Sequence, residues 1–141
     1  MSNPMSPSEP AVALRNLRVA FGKVQVVDGV DLTVERGQAL ALIGESGSGK
    51  SVTLRSILRL FPDGRSRIEG QILAAGRDVQ ALTKRQLADF RGGAVSMIFQ
   101  EPLLAFDPVY TVGRQITEAI LRHEKISKDE ARKRALALFE R

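Results

Sequence analysis

The 141 residues contain no cysteine, no tryptophan and a single histidine, His123. The missing thiols exclude disulfides, thiolate zinc sites, iron–sulfur clusters and a cysteine nucleophile, and one histidine leaves no ordinary histidine metal cluster. Long apolar runs are also absent. Near the middle of the chain the longest, Ala39 to Ile43, is five residues, against the ~18–20 needed to span a bilayer, so no direct membrane span is expected. Aromatics amount to six Phe and one Tyr, and the 21 basic residues are scattered among 16 acidic ones for a net charge of +5. Such spacing fits solvated faces rather than a phosphate-tracking surface, and no nucleic-acid partner is expected. What is present, 43% hydrophobic and 26% charged residues, suits one modest soluble domain and excludes disorder throughout.

Met1 to Pro10 carries three prolines among serines, with no basic start and no apolar stretch of a signal peptide, so residues 1–10 are expected to be a disordered leader on a cytoplasmic chain. Beyond Pro10 the pattern is α/β. Val12, Leu14, Leu17 and Val19 predict a strand with an irregularity near Asn16. Phe21-Gly22-Lys23 predicts a turn, Val24–Val27 a short strand, and the alternation of Val30, Leu32 and Val34 a further strand with one wet face. Ala39–Ile43 and Ala94–Phe99, apolar on both faces, read as strands buried in a parallel sheet. Helical spacing runs from Val52 to Leu60, stopped by Pro62-Asp63-Gly64, and a strand follows over Ile68–Ala74. Thr83 is placed to cap a helix through Phe90, and two more helices are predicted over Val112–His123 and Lys128–Arg141, the last opened by a Ser127/Glu130 capping box.

Gly44-Glu45-Ser46-Gly47-Ser48-Gly49-Lys50-Ser51 matches the phosphate-binding pattern G-x-x-x-x-G-K-[ST]. Glycines let successive backbone amides turn inward into a concave nest of partial positive charge. The helix that follows adds its N-terminal amides, Lys50 can reach the β- and γ-phosphates, and Ser51 can offer a hydroxyl to Mg²⁺. A turn that merely joined strand to helix would not call for Lys-Ser. Nucleotide binding is therefore the chemistry expected of these eight positions.

From Ala11 to Arg141 the chain resembles the ATP-binding subunits of ABC transporters, in which a phosphate loop follows some antiparallel β structure containing an aromatic such as Phe21. The resemblance implies an ABC-type P-loop NTPase domain with an antiparallel β front, ATP and Mg²⁺ as cofactors, and stacking of adenine on Phe21. Met97-Ile98-Phe99-Gln100-Glu101-Pro102 is similar to the family's Q-loop, which implies that Gln100 contacts Mg²⁺ and the attacking water. Lys50 and Gln100 would then serve catalysis, and Ser51 and Gln100 the metal. Asp107 to Ile116 is similar to the dipeptide and oligopeptide importer subgroup, although Ala105-Phe106-Asp107-Pro108 stands where that subgroup usually has Ser-Leu-Asn-Pro. Implied partners are membrane permease subunits and a second ATP-binding subunit, with the protein peripheral on the inner membrane.

The resemblance covers only the N-terminal part of the domain. The L-S-G-G-Q signature, a Walker B strand ending in Asp with a Glu after it, and the switch histidine are not found in the 141 residues. Leu136–Glu140 lacks the aspartate and falls inside a helical pattern, and His123 reads as a surface helix residue. Because the family's sheet places further strands between the two apolar ones, the chain alone is expected to expose their edges and to be poorly folded or insoluble. A non-catalytic nucleotide-binding remnant or interaction protein fits the same residues. A small P-loop kinase or GTPase fits less well, since the loop begins at residue 44 and Thr83-Lys84-Arg85-Gln86 lacks the aspartate of N-K-x-D.

Overall fold

The computed structural model describes residues 9–62 and 64–140; most of the expected leader, Asp63 of the helix stop and Arg141 lie outside them. Two compact units are formed, one reaching to Val95 and the other starting at Ser96.

The first unit is built on an antiparallel sheet of order β2-β1-β3-β4, comprising β1 (Val12–Phe21), β2 (Val24–Val34), β3 (Ser66–Ala74) and β4 (Arg77–Asp78). Leu14, Leu17, Val19 and Ile72 are fully buried, as alternation on one sheet face requires. The irregularity expected at Asn16 is a register shift between Leu14 and Leu17 against β2 and between Arg15 and Arg18 against β3. Asn16 takes φ 47° there, and its amide donates to Asp31 Oδ1 at 3.0 Å. Gly70, opposite this bulge, has φ +90°, and a Cβ on it would sit 2.3 Å from the Asn16 carbonyl oxygen. Only glycine lets the two backbones approach so closely. The two short strands expected over 24–34 are one bent strand, with Gly29 at φ 69° absorbing the bend.

Helix α1 (Lys50–Ile57) touches β1, β2 and β3. Its buried residues are Thr53 and Ser56; of the helical pattern, Leu58 is buried just past the end of α1 and Leu54 is 44% exposed. Each hydroxyl is satisfied within the helix, Thr53 Oγ1 donating to Gly49 O at 3.0 Å and Ser56 Oγ to Val52 O at 2.8 Å, so the polar face can be buried at little cost. Helix α2 (Lys84–Gly93) opens with a reciprocal Thr83/Gln86 capping box and kinks at Arg91 and Gly92, with Phe90 fully buried. Arg91 then clamps the end of α1, Nε donating to Leu58 O at 2.8 Å and an Nη to Arg59 O at 2.7 Å.

The expectation of buried strands over Ala39–Ile43 and Ala94–Phe99 is not met. Residues 39–45 form no regular element, Val95 makes only an isolated bridge to Arg91, and Ile43 and Ile98 are 94% and 91% exposed. A strand needs a continuous hydrogen-bonded ladder, and the described residues supply no more than the one bridge at Val95.

In the second unit a 3-10 turn over Pro102–Ala105 precedes α3 (Val112–His123) and α4 (Lys128–Phe139), which pack together. Thr111 and Ser127 cap these helices by accepting from Arg114 N and Glu130 N. Ala131 and Ala135, one turn apart, are buried on α4, while Leu138 and Phe139 are exposed. Arg134 is hydrogen-bonded to Glu130 and paired with Glu124 at the end of α3; both carboxylates hold its guanidinium in the charged form, Glu130 more strongly. Among the described residues no helix is long and apolar enough to cross a membrane.

Candidate functional site

The segment Gly44–Gly49 closes on itself before α1 begins. Ser48 N donates to Glu45 O at 3.2 Å, Gly47 takes φ 82°, and Gly49 takes φ 85° as the N-cap of α1. Gly49 is required twice over. Its left-handed conformation favours glycine, and a Cβ would lie 3.0 Å from Val26 O and 3.3 Å from Val27 Cγ2 of β2. The loop is thereby pressed onto the sheet, and Thr53 N and Oγ1 both donate back to Gly49 O, at 2.8 and 3.0 Å.

No side chain caps the start of α1, and its first turn carries no acidic residue. The unpaired amides and the positive end of the helix dipole are thus left to whatever occupies the loop. Lys50 folds back over that loop. Its Nζ donates to Gly44 O at 2.8 Å, Glu45 O at 2.6 Å and Ser48 Oγ at 3.0 Å. Every partner is a neutral oxygen, so the contacts fix the ammonium without cancelling its charge. Gly44, Glu45, Ser46, Gly47 and Ser48 are exposed, and so is Ser51 in the first turn of α1. An exposed loop carrying a fixed cation and free helix amides has the chemistry to accept a polyphosphate. Ser51 supplies a hydroxyl of the hard type Mg²⁺ prefers.

The other expected site residues belong to other elements. Phe21 ends β1, half-buried, and its ring meets Phe61 edge-to-face at 5.3 Å and 80°. That partner was not anticipated, although Phe61 directly follows the helical run ending at Leu60. Gln100 is an exposed bend residue of the second unit, just before the 3-10 turn, whereas the phosphate loop belongs to the first. His123 is the exposed last residue of α3, and Leu136–Phe139 are helical. Sequence reasoning also missed the Ser48–Lys50 contact and the Arg91 clamp. The first had a signal in the two-residue spacing, and the second had none.

Residues 27–141 match the family model described as ABC transporter. The oligopeptide transport ATP-binding protein OppD of Bacillus subtilis (strain 168) is 42% identical over 132 residues, covering 90% of this chain and 37% of that protein. The probable D,D-dipeptide transport ATP-binding protein DdpD of Escherichia coli (strain K12) is 41% identical over 138 residues, covering 94% and 42%. In fold, the chain is similar to a bacterial Atm1-family ABC exporter solved with ATP bound, at a TM-score of 0.56 and 24% identity, over 89% of this chain and 20% of that one. It spans about two fifths of the length of the curated relatives it matches. With the phosphate loop inside the matched segment, the chain belongs to the ABC transporter family.

Proposed function

We propose that this chain is the ATP-binding part of a transport ATPase serving peptide uptake, acting at the cytoplasmic face of the inner membrane with permease subunits and a second ATP-binding subunit. Support for the peptide assignment comes from relatives named for oligopeptide and dipeptide transport. The observation that carries nucleotide binding is the Lys50 ammonium, held over the loop by neutral oxygens beside the uncapped start of α1. In this reading the loop amides and Lys50 hold the phosphates, and Ser51 offers a neutral oxygen to Mg²⁺. The bound ion neutralises charge on the phosphate oxygens. The Phe21 ring serves the adenine, kept at a fixed angle by Phe61.

Binding is the quantity to measure, because the 141 residues contain neither L-S-G-G-Q nor a Walker B Asp–Glu pair. Titration of the dilute chain with Mg-ATP is expected to show saturable binding. Lys50→Ala should weaken it by about 10–100-fold, the scale of a lost hydrogen bond to a charged group. Equal affinities in the two proteins would overturn the assignment.

A further inference from the structure

An ammonium group has three donors and no acceptor, and here all three are engaged by the loop itself. The contacts are not equivalent. Gly44 O and Glu45 O belong to the loop backbone, whose course is set by the Glu45–Ser48 turn and by the seating of Gly49 against β2. Moving either carbonyl means reshaping the loop. The third acceptor, Ser48 Oγ, is an exposed side-chain hydroxyl two residues before Lys50. It can turn away by a single χ1 rotation. A phosphate oxygen that is to accept a hydrogen bond from Lys50 must displace one of the three, and Ser48 is the one that yields without backbone movement.

We infer that Ser48 is an exchangeable third partner of the Lys50 ammonium, holding it over the loop and competing with a phosphate for the same donor. Gly44 belongs to the same device. A Cβ there would lie 2.9 Å from Ser48 Oγ and 3.8 Å from Lys50 Nζ, so a glycine at 44 is what admits the hydroxyl to the ammonium. Ser48 is therefore a positioning residue that sets how strongly the loop takes phosphate, through Lys50 rather than by a contact of its own.

This inference rests on the phosphate-binding reading of the loop, and its test separates the two. The probe is inorganic tripolyphosphate, which carries the phosphates without adenine, titrated calorimetrically into the full chain in dilute solution. Ser48→Ala should bind about threefold tighter than the unsubstituted chain, the effect of one exposed, rotatable competitor removed. Ser48→Thr keeps the hydroxyl and should return the affinity to its starting value, which a general loosening of the loop would not do. Ser48 is exposed, and far-UV circular dichroism checks that both variants keep their secondary structure. Unchanged or weaker binding by Ser48→Ala, with Lys50→Ala still defective, overturns the role of Ser48 and leaves the site standing. Absence of binding to the unsubstituted chain overturns both.

Discussion

Single positions in this chain are fixed by close approach more than by hydrophobicity. Gly70 is the sharpest case, with the Asn16 and Arg15 carbonyl oxygens 2.3 and 2.5 Å from where a Cβ would be. Those atoms are backbone held by ladders on both sides, so neither can yield cheaply. Gly70→Ala is expected to destabilise the chain by about 2–3 kcal/mol, combining overpacking with strain at positive φ. A urea midpoint unchanged from that of the parent would count against it. Gly22 and Gly37 also have positive φ, but a Cβ there meets nothing within 4 Å. The Lys50 ammonium belongs to the same scale: its reach to Gly44, Glu45 and Ser48 is local, and no tertiary contact is needed to explain it.

Elements follow their local signals wherever those signals act within a few residues. Thr83 and Ser127 start helices where expected, the sheet breaks step at Asn16, and α2 kinks where Gly92 permits it. The Thr83/Gln86 box satisfies two donors at the start of α2, so Thr83→Ala should cost about 1 kcal/mol. The expected sign is faster hydrogen exchange confined to the first turn of α2. Protection there equal to the parent's would show the box to be dispensable. The phosphate loop was fully legible because its residues are consecutive. The buried strands over 39–43 and 94–99 were misread for a physical reason: apolar residues on both faces state a preference, while the ladder depends on neighbours from distant sequence. The burial of Thr53 and Ser56 on α1 had no signal, because they count as polar until their i−4 hydrogen bonds are seen. Phe21 was read as the start of a turn and instead ends β1, and its contact with Phe61 spans forty residues and has no local signature.

At the scale of the whole molecule, apolar residues stand exposed in both units. Ile43 in the first is 94% exposed and Ile98 in the second 91%, each in a segment without ladder partners. Unpaired backbone carrying such side chains is a template for association. Ile43→Thr combined with Ile98→Thr should lower light scattering at high protein concentration without changing the circular dichroism. Scattering as strong as the parent's would place the sticky surface elsewhere. The Arg91 clamp bears on the order in which the first unit assembles. It joins positions 33 and 32 residues apart through two hydrogen bonds, and closing a loop of that length costs about 3 kcal/mol in chain entropy. Two such bonds do little more than match that cost. With no cysteine to tether the ends in the unfolded chain, the clamp depends on β3 pairing with β1 to shorten the excursion, and it closes as a latch on a unit already assembled.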